Sequence, residues 1–216
     1  MHDRLEAVRR RVAAACERSG RSSSAVTLVA VTKYADLDAV ARLVAAGVTD
    51  LGENQAQQLR DRAPGFPGVR WHAIGPLQRN KVKYVARHAD AFHALDRPDI
   101  ARALSDRRVA EGLDALPCYV QVNVAGEQTK AGVAPADLPG FLTEVGTAEL
   151  PGIDVVGLMA MPPLAVQPED ARPWFTGLAG LAADNGLAGL SMGTTADFEV
   201  AIEEGATAVR IGSALL

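Results

Sequence analysis

Residues 26–51 read VTLVAVTKYADLDAVARLVAAGVTDL, and the pattern of this stretch decides the fold. The β-branched run 26–32 predicts a buried strand, residues 36–46 repeat apolar positions at helical spacing, and 48–51 begins another strand. Two strands joined by a helix of about ten residues pair in parallel through a right-handed crossover. The stretch therefore predicts one β-α-β unit.

The same alternation continues along the chain, which has 216 residues. Further strands are predicted at 69–74, 89–93, 117–123, 154–159, 187–191 and 207–211. Helices are predicted near 53–62, 77–87, 98–111, 135–148, 168–184 and 195–204, and an extra N-terminal helix around 2–19.

Eight strands separated by seven helices favour an α/β fold in which residues 1–216 form a single (β/α)8 TIM-type barrel domain. The chain ends soon after the eighth strand, so we expect a short or missing last helix, with the N-terminal helix covering the gap. A doubly wound open sheet is the alternative, but its Gly-rich fingerprint is absent after the first strand.

Composition excludes several classes of function. The net charge is −4 and the basic residues are scattered, which argues against a nucleic-acid partner. No apolar stretch is long enough to span a membrane, and the N-terminus carries charges where a signal peptide needs an apolar centre, so we expect a cytoplasmic protein. Cys16 and Cys118 are expected to be packing thiols. The four histidines lack metal-ligand spacing, so no metal site is predicted.

Lys33 directly follows the first predicted strand. Active sites of such barrels lie at the carboxyl ends of the strands, so the amine is expected in a partly desolvated cavity, where it could attack an aldehyde. A lysine that simply extends from the strand end to water is the structural alternative.

Small residues follow strands seven and eight, in Ser191-Met192-Gly193 with Thr194-Thr195, and in Gly212-Ser213. In many barrels these two loops bind a phosphate through backbone N–H groups and hydroxyls. Ordinary helix capping by Thr194 or Thr195 is the alternative. The run Gly189–Gly193 also matches the G-x-S-x-G nucleophile elbow, but that fold needs a later histidine, and the last histidine here is His93.

Arg210 interrupts the apolar eighth strand and is expected to face the barrel mouth or solvent. With Lys33 and the loop at Gly212-Ser213, it suggests a ligand that carries an aldehyde, a phosphate and an acceptor for a guanidinium. Pyridoxal 5′-phosphate has all three groups.

Several ordered blocks resemble one known family. They are Val29-Ala30-Val31-Thr32-Lys33, Gly52-Glu53-Asn54, Trp71-His72-Ala73-Ile74-Gly75, Val122-Asn123-Val124 with Glu127, Lys130 and Gly132, Gly157-Leu158-Met159, Leu190-Ser191-Met192-Gly193, and Val209-Arg210-Ile211-Gly212. Over nearly its whole length the chain resembles the YggS/PROSC-type pyridoxal phosphate homeostasis proteins, whose domain is similar to the N-terminal barrel of alanine racemase. It departs from that family at Pro76, where histidine is usual, and at Thr194-Thr195, where Met-Ser is common.

The resemblance implies roles for several of the matching residues. Lys33 would form the Schiff base with the cofactor aldehyde, and Arg210 would face the pyridine nitrogen. The other implied cofactor-binding residues are Ser191, Gly212 and Ser213 at the phosphate, Asn54 and Met159 at the ring, and His72 and Met192 nearby. Gly193 is expected to join the phosphate site through its backbone N–H, which no side chain obstructs.

Three functions are compatible with these residues. The first, which we favour, is a non-catalytic monomer that stores pyridoxal 5′-phosphate, delivers it to apo-enzymes that depend on this cofactor, and so serves vitamin B6 homeostasis. The second is an amino-acid racemase, although racemases of this kind add a C-terminal β domain and a second base. The third, a phosphosugar-binding barrel enzyme, leaves Lys33 and Arg210 unexplained.

Overall fold

The computed structural model describes residues 1–127, 131–163 and 167–216, so Lys130 of the family motif lies outside the described residues. Its strands are β1 (Thr27–Val31), β2 (Asp50–Glu53), β3 (Arg70–Ala73), β4 (Ala91–Leu95), β5 (Leu116–Gln121), β6 (Ile153–Met159), β7 (Gly189–Thr194) and β8 (Ala208–Ile211). All neighbours pair in parallel, and β8 returns to β1, so the sheet closes into the predicted barrel.

Helices surround this sheet. They are α1 (His2–Arg18), α2 (Leu37–Ala45), α3 (Ala56–Arg62), α4 (Val82–His88), α5 (Pro98–Ala110), α6 (Leu138–Thr147), α7 (Arg172–Asp184) and α8 (Phe198–Glu203). The Asp36 carboxylate accepts a hydrogen bond from the Ala39 N–H at 2.7 Å and so caps the start of α2. None of the described helices is long and apolar enough to cross a membrane.

The N-terminal helix α1 packs beside α8. Its buried residues Leu5, Val8 and Val12 recur at helical spacing. Arg11 of α1 reaches Glu199 of α8 at 2.8 Å, and Arg4 bonds the carbonyl of Leu216. Helix α1 therefore covers the region beside β8, as the sequence predicted.

Strand β7 is longer at its carboxyl end than the sequence predicted. The prediction ended the strand at residue 191, whereas β7 continues to Thr194. Ser191, Met192 and Gly193 are consequently buried strand residues rather than an open turn. This difference changes the roles available to all three residues.

Candidate functional site

A cavity of about 640 Å³ opens at the carboxyl ends of the strands. Five of the predicted cofactor-binding residues line it, namely Lys33, Asn54, Arg210, Gly212 and Ser213. They follow or end β1, β2 and β8, which are neighbours in the barrel. Barrel closure thus brings the amine, the guanidinium and the final loop to one place.

Lys33 lies at the mouth of this cavity. Its Nζ is 4.8 Å from the ring centroid of Tyr34, which is itself 86% exposed. The sequence predicted a partly desolvated amine, but Lys33 is exposed because its loop lies on the rim of the barrel. A bound ligand, rather than the protein alone, would have to remove water from this amine.

The loop that carries Lys33 is held from below by Arg62. The Arg62 guanidinium donates to the carbonyls of Thr32 at 2.9 Å and Ala35 at 2.6 Å. It also pairs with Glu53, whose carboxylate accepts a hydrogen bond from the Thr32 hydroxyl. The buried ion pair therefore fixes the backbone on both sides of Lys33.

Arg210 is only 5% exposed and forms part of the cavity floor. Its Nη1 donates to the backbone carbonyl of Ser191 at 2.8 Å, and its Nη2 donates to the carbonyl of Ala160 at 3.0 Å. Burial lowers the pKa of Arg210 to about 10, while the charge of Asp197 opposes this effect. The guanidinium therefore remains a cation at neutral pH.

Hydroxyls and backbone amides converge where β7 and β8 end. Thr194 and Thr195 line the cavity, and the Thr195 hydroxyl accepts a hydrogen bond from the Gly212 N–H at 3.2 Å. The Asp197 carboxylate accepts hydrogen bonds from both the backbone N–H and the hydroxyl of Thr194. The Thr195 hydroxyl still has its proton to donate, and the Ser213 hydroxyl lies in the same lining, so these two hydroxyls are the donors that this corner offers to an anion.

The other five predicted residues, Ser191, Met192, Gly193, Met159 and His72, lie away from the cavity wall. Met159 and Met192 are buried in the core. Gly193 has φ +91°, and a Cβ there would lie 2.6 Å from the Cβ of Ala201, so this glycine allows α8 to pack against β7. The side chains of Ser191 and His72 form hydrogen bonds inside the barrel.

Sequence reasoning missed part of the cavity lining. Val31, Ile74, Met161 and Leu216 contribute apolar surface, and Met161 is 53% exposed. Their positions at strand ends give a signal, because residues that follow adjacent parallel strands meet at the same rim. Because these side chains are apolar, nothing in their chemistry indicated that they line a binding cavity.

The position of Asn54 depends on the close approach of the Gly75 backbone. A Cβ at Gly75 would lie 2.1 Å from the backbone oxygen of Asn54 and 2.5 Å from its Oδ1. We expect Gly75→Ala to displace Asn54 from the cavity wall and to lower the free energy of unfolding by about 1–3 kcal/mol, as overpacking does. Urea unfolding measures this loss, and Gly180→Ala, which has open space, is the control. Equal stabilities of the two variants would contradict the expectation.

His72 belongs to a polar cluster inside the barrel. Its Nε2 lies 2.9 Å from Asp50 Oδ1, and its Nδ1 lies 2.9 Å from His93 Nε2. Burial raises the pKa of the Asp50 carboxyl, but hydrogen bonds from His72, Arg70 and Thr49 outweigh burial and hold this pKa below its ordinary value. The cluster therefore contains an anion at neutral pH.

We expect acid to destabilise the fold through His93. Burial, followed by the charges of His72 and Arg210, lowers the pKa of His93 well below its ordinary 6.5. Below pH 6.5 the His93 imidazole is protonated in the unfolded chain, whereas in the folded protein it stays neutral until the pH is much lower. Stability should therefore fall by up to about 1.4 kcal/mol per pH unit as the pH decreases.

Urea unfolding at pH 7, 6 and 5 measures this effect. The loss of stability with acid should be smaller in His93→Phe than in the wild type, whereas exposed His2→Phe should keep the wild-type slope. Two further side chains face the His93 ring. The Tyr119 ring stacks on it with a centroid distance of 4.5 Å, and Ser191 Oγ lies 2.7 Å from His93 Nδ1. Parallel pH profiles for wild type and His93→Phe would show that His93 is not the responsible group.

Comparison with known proteins assigns the family. The sequence model of one protein family, the alanine racemase N-terminal domain, matches residues 4–216. The chain belongs to this family. A pyridoxal phosphate homeostasis protein of Aquifex aeolicus is 39% identical over 221 residues, covering 99% of this chain and 96% of that protein. The protein of the same name from Deinococcus radiodurans is 42% identical over 91% of each chain.

A solved structure is also similar to this chain over nearly its whole length. PipY of Synechococcus elongatus, solved with PLP bound, superposes with a TM-score of 0.81 at 28% identity. The match covers 99% of this chain and 98% of PipY.

Proposed function

We propose that this protein binds pyridoxal 5′-phosphate and acts in cytoplasmic vitamin B6 homeostasis, storing the cofactor and delivering it to apo-enzymes without substantial catalysis. The observation that carries the proposal is that Lys33, Arg210 and the loop at Gly212 face one cavity. The family and the PLP bound to PipY support it. Two buried cysteines that remain free thiols are compatible with a reducing cytoplasm.

The residues present fit this cofactor. The cavity of about 640 Å³ is large enough for a drug-sized ligand. Lys33 offers an amine at the rim, Arg210 offers a fixed cation at the floor, and Thr195 and Ser213 offer hydroxyls after β7 and β8. When bound, pyridoxal phosphate supplies an aldehyde that can bond to an amine and a ring that withdraws electrons.

The chain's own residues favour retention of the cofactor over turnover. A protonated guanidinium can only donate a hydrogen bond, so Arg210 would disfavour a proton on the pyridine nitrogen and weaken the electron-withdrawing ring. Lys33 can act as a base on one face of a substrate. Among the described residues of the cavity wall, the other candidate for a second base near Lys33 is Tyr34, which is 86% exposed to water.

Discrimination between pyridoxal and its phosphate ester tests the cofactor assignment. We expect the ester to bind on the order of 100-fold more tightly, because the Thr195 and Ser213 hydroxyls beside Gly212 can each donate a hydrogen bond to an anion. Absorption titration measures both affinities. If both compounds bind equally, the phosphate site has been misplaced.

Racemisation distinguishes the carrier from the enzyme. The cofactor-loaded protein is incubated with L-alanine in deuterated water, followed by chiral analysis and mass measurement. The carrier predicts turnover far below roughly 1 per second, a slow rate for an enzyme. Faster turnover that disappears in Lys33→Ala would establish the racemase instead.

A further inference from the structure

A chain of polar side chains crosses the interior of the barrel, where branched apolar residues normally pack. It runs from Asp50, the first residue of β2, through His72, His93 and Ser191 to Arg210 at the cavity floor. None of the five is more than 8% exposed. Burying so many polar groups is unfavourable unless each finds a partner, which suggests a specific role.

We call these five side chains the interior relay. Each neighbouring pair in the relay is separated by a hydrogen-bond distance. Asp50 Oδ1 and His72 Nε2 are 2.9 Å apart, and His72 Nδ1 and His93 Nε2 are also 2.9 Å apart. His93 Nδ1 lies 2.7 Å from Ser191 Oγ. The Ser191 Oγ in turn accepts a bond from Arg210 Nη1 at 2.6 Å. An unbroken path therefore connects the two ends of the barrel.

The two ends of the relay fix its direction. Arg210 can only donate, and the Asp50 carboxylate can only accept. With both imidazoles neutral, His72 must donate from Nε2 to Asp50, and it then accepts at Nδ1 from His93 Nε2–H. His93 accepts at Nδ1 from the Ser191 hydroxyl. Every bond points from Arg210 towards Asp50, and both histidines carry their proton on Nε2.

Two other roles for these residues are less compatible with the geometry. A proton added to the histidine pair would reverse the middle bonds and place a second cation near Arg210, which burial of His93 opposes. Nucleophilic catalysis by Ser191 with His93 would need an accessible hydroxyl, but Ser191 is 0% exposed.

We propose that Asp50, His72, His93 and Ser191 are positioning residues that fix and polarise the Arg210 guanidinium from the opposite end of the barrel. This inference rests on the proposed function in one respect, namely that the cofactor ring faces Arg210. The relay also gives the buried cation an anionic counterpart, Asp50, which the exposed Arg70 anchors with two hydrogen bonds of 2.8 and 2.9 Å. The cofactor pocket is thereby coupled to a residue at the other face of the barrel.

The direction of the relay is tested first without cofactor. Long-range ¹H–¹⁵N correlation spectra of the four histidines should show His72 and His93 as neutral rings protonated on Nε2 at pH 7.5. A proton on Nδ1 of His93 would overturn the proposed direction. This measurement is independent of whether the protein binds pyridoxal phosphate.

Breaking the link to Arg210 tests the positioning role. Ser191→Ala should weaken pyridoxal phosphate binding about tenfold, the factor expected for one hydrogen bond to a charged group. In the wild type, cofactor binding should shift the His72 ring nitrogens, and this response should vanish in Ser191→Ala. The matched control is Ser105→Ala, since Ser105 is also buried and its hydroxyl accepts one bond, from Gly152 N–H at 3.0 Å.

The far end of the relay is tested with Asp50→Asn, which should weaken binding in the same direction. Binding by Ser191→Ala or Asp50→Asn that equals binding by Ser105→Ala would overturn the positioning role. A His72 response that persists in Ser191→Ala would do the same. If the wild type fails to bind the cofactor, the proposed function fails, while the tautomers still decide the direction of the relay.

Discussion

Replacing Lys33 with alanine should abolish covalent attachment of pyridoxal phosphate. In the wild type, incubation with the cofactor and reduction with borohydride should leave a pyridoxyl group on Lys33, because this amine lies on the cavity rim beside Tyr34. Peptide mass spectrometry locates the group. The Lys33→Ala protein should retain noncovalent binding through Arg210 and the corner at Gly212, so its affinity should fall without disappearing.

The nearby lysines provide the control for this experiment. Lys81 precedes α4 and Lys83 lies on it, and neither lines the cavity. Lys81→Ala and Lys83→Ala should therefore keep the label on Lys33. Recovery of the label chiefly on Lys81, Lys83 or Lys130 would contradict the assignment of Lys33.

The sequence predicted the barrel because its strand and helix patterns depend on local periodicity. It led us to expect Lys33 in a cavity and Arg210 at the barrel mouth or in solvent, and both residues line the same cavity, since parallel strands bring their carboxyl ends to one rim. Its boundaries were less accurate. The small residues of 191–193 were interpreted as a turn, although β7 continues to Thr194 and turns the Ser191 hydroxyl into the barrel.

The interior relay could not be predicted from the sequence in the same way. Its members lie on five strands, and the bond between His93 and Ser191 joins residues 98 positions apart. Single polar residues in short apolar strands carry no sign of which partner they meet. Only the register of the closed barrel, which places Gly52 beside His72 and Val29 beside Arg210, brings these strands into place.

The buried ion pair under the Lys33 loop shows the same dependence on tertiary structure. Glu53 ends β2 and Arg62 ends α3, so the two residues are nine positions apart along the chain. The Glu53 side chain is 0% exposed and that of Arg62 13%. The predicted helix 53–62 contained both residues, but Glu53 is in fact part of the strand that leads to the cavity.

Arg62→Met should consequently destabilise the protein by about 3–5 kcal/mol, the usual cost of leaving a buried charge without its partner. Methionine preserves much of the apolar stem but leaves the Glu53 carboxylate and the Thr32 and Ala35 carbonyls without their cation. Urea unfolding measures the loss. Borohydride labelling of Lys33 should decrease as well, because its loop loses the bonds that hold it.

Two further variants separate the buried charge from lost packing. Glu53→Gln combined with Arg62→Met should recover much of the stability, because neither charge then remains in the interior and glutamine still accepts from the Thr32 hydroxyl. Arg102→Met removes an exposed pair with Glu144, whose side chains are 53% and 50% exposed, and should cost at most about 1 kcal/mol. If Arg62→Met costs no more than Arg102→Met, the Glu53–Arg62 pair does not stabilise the loop that presents Lys33 to the cavity.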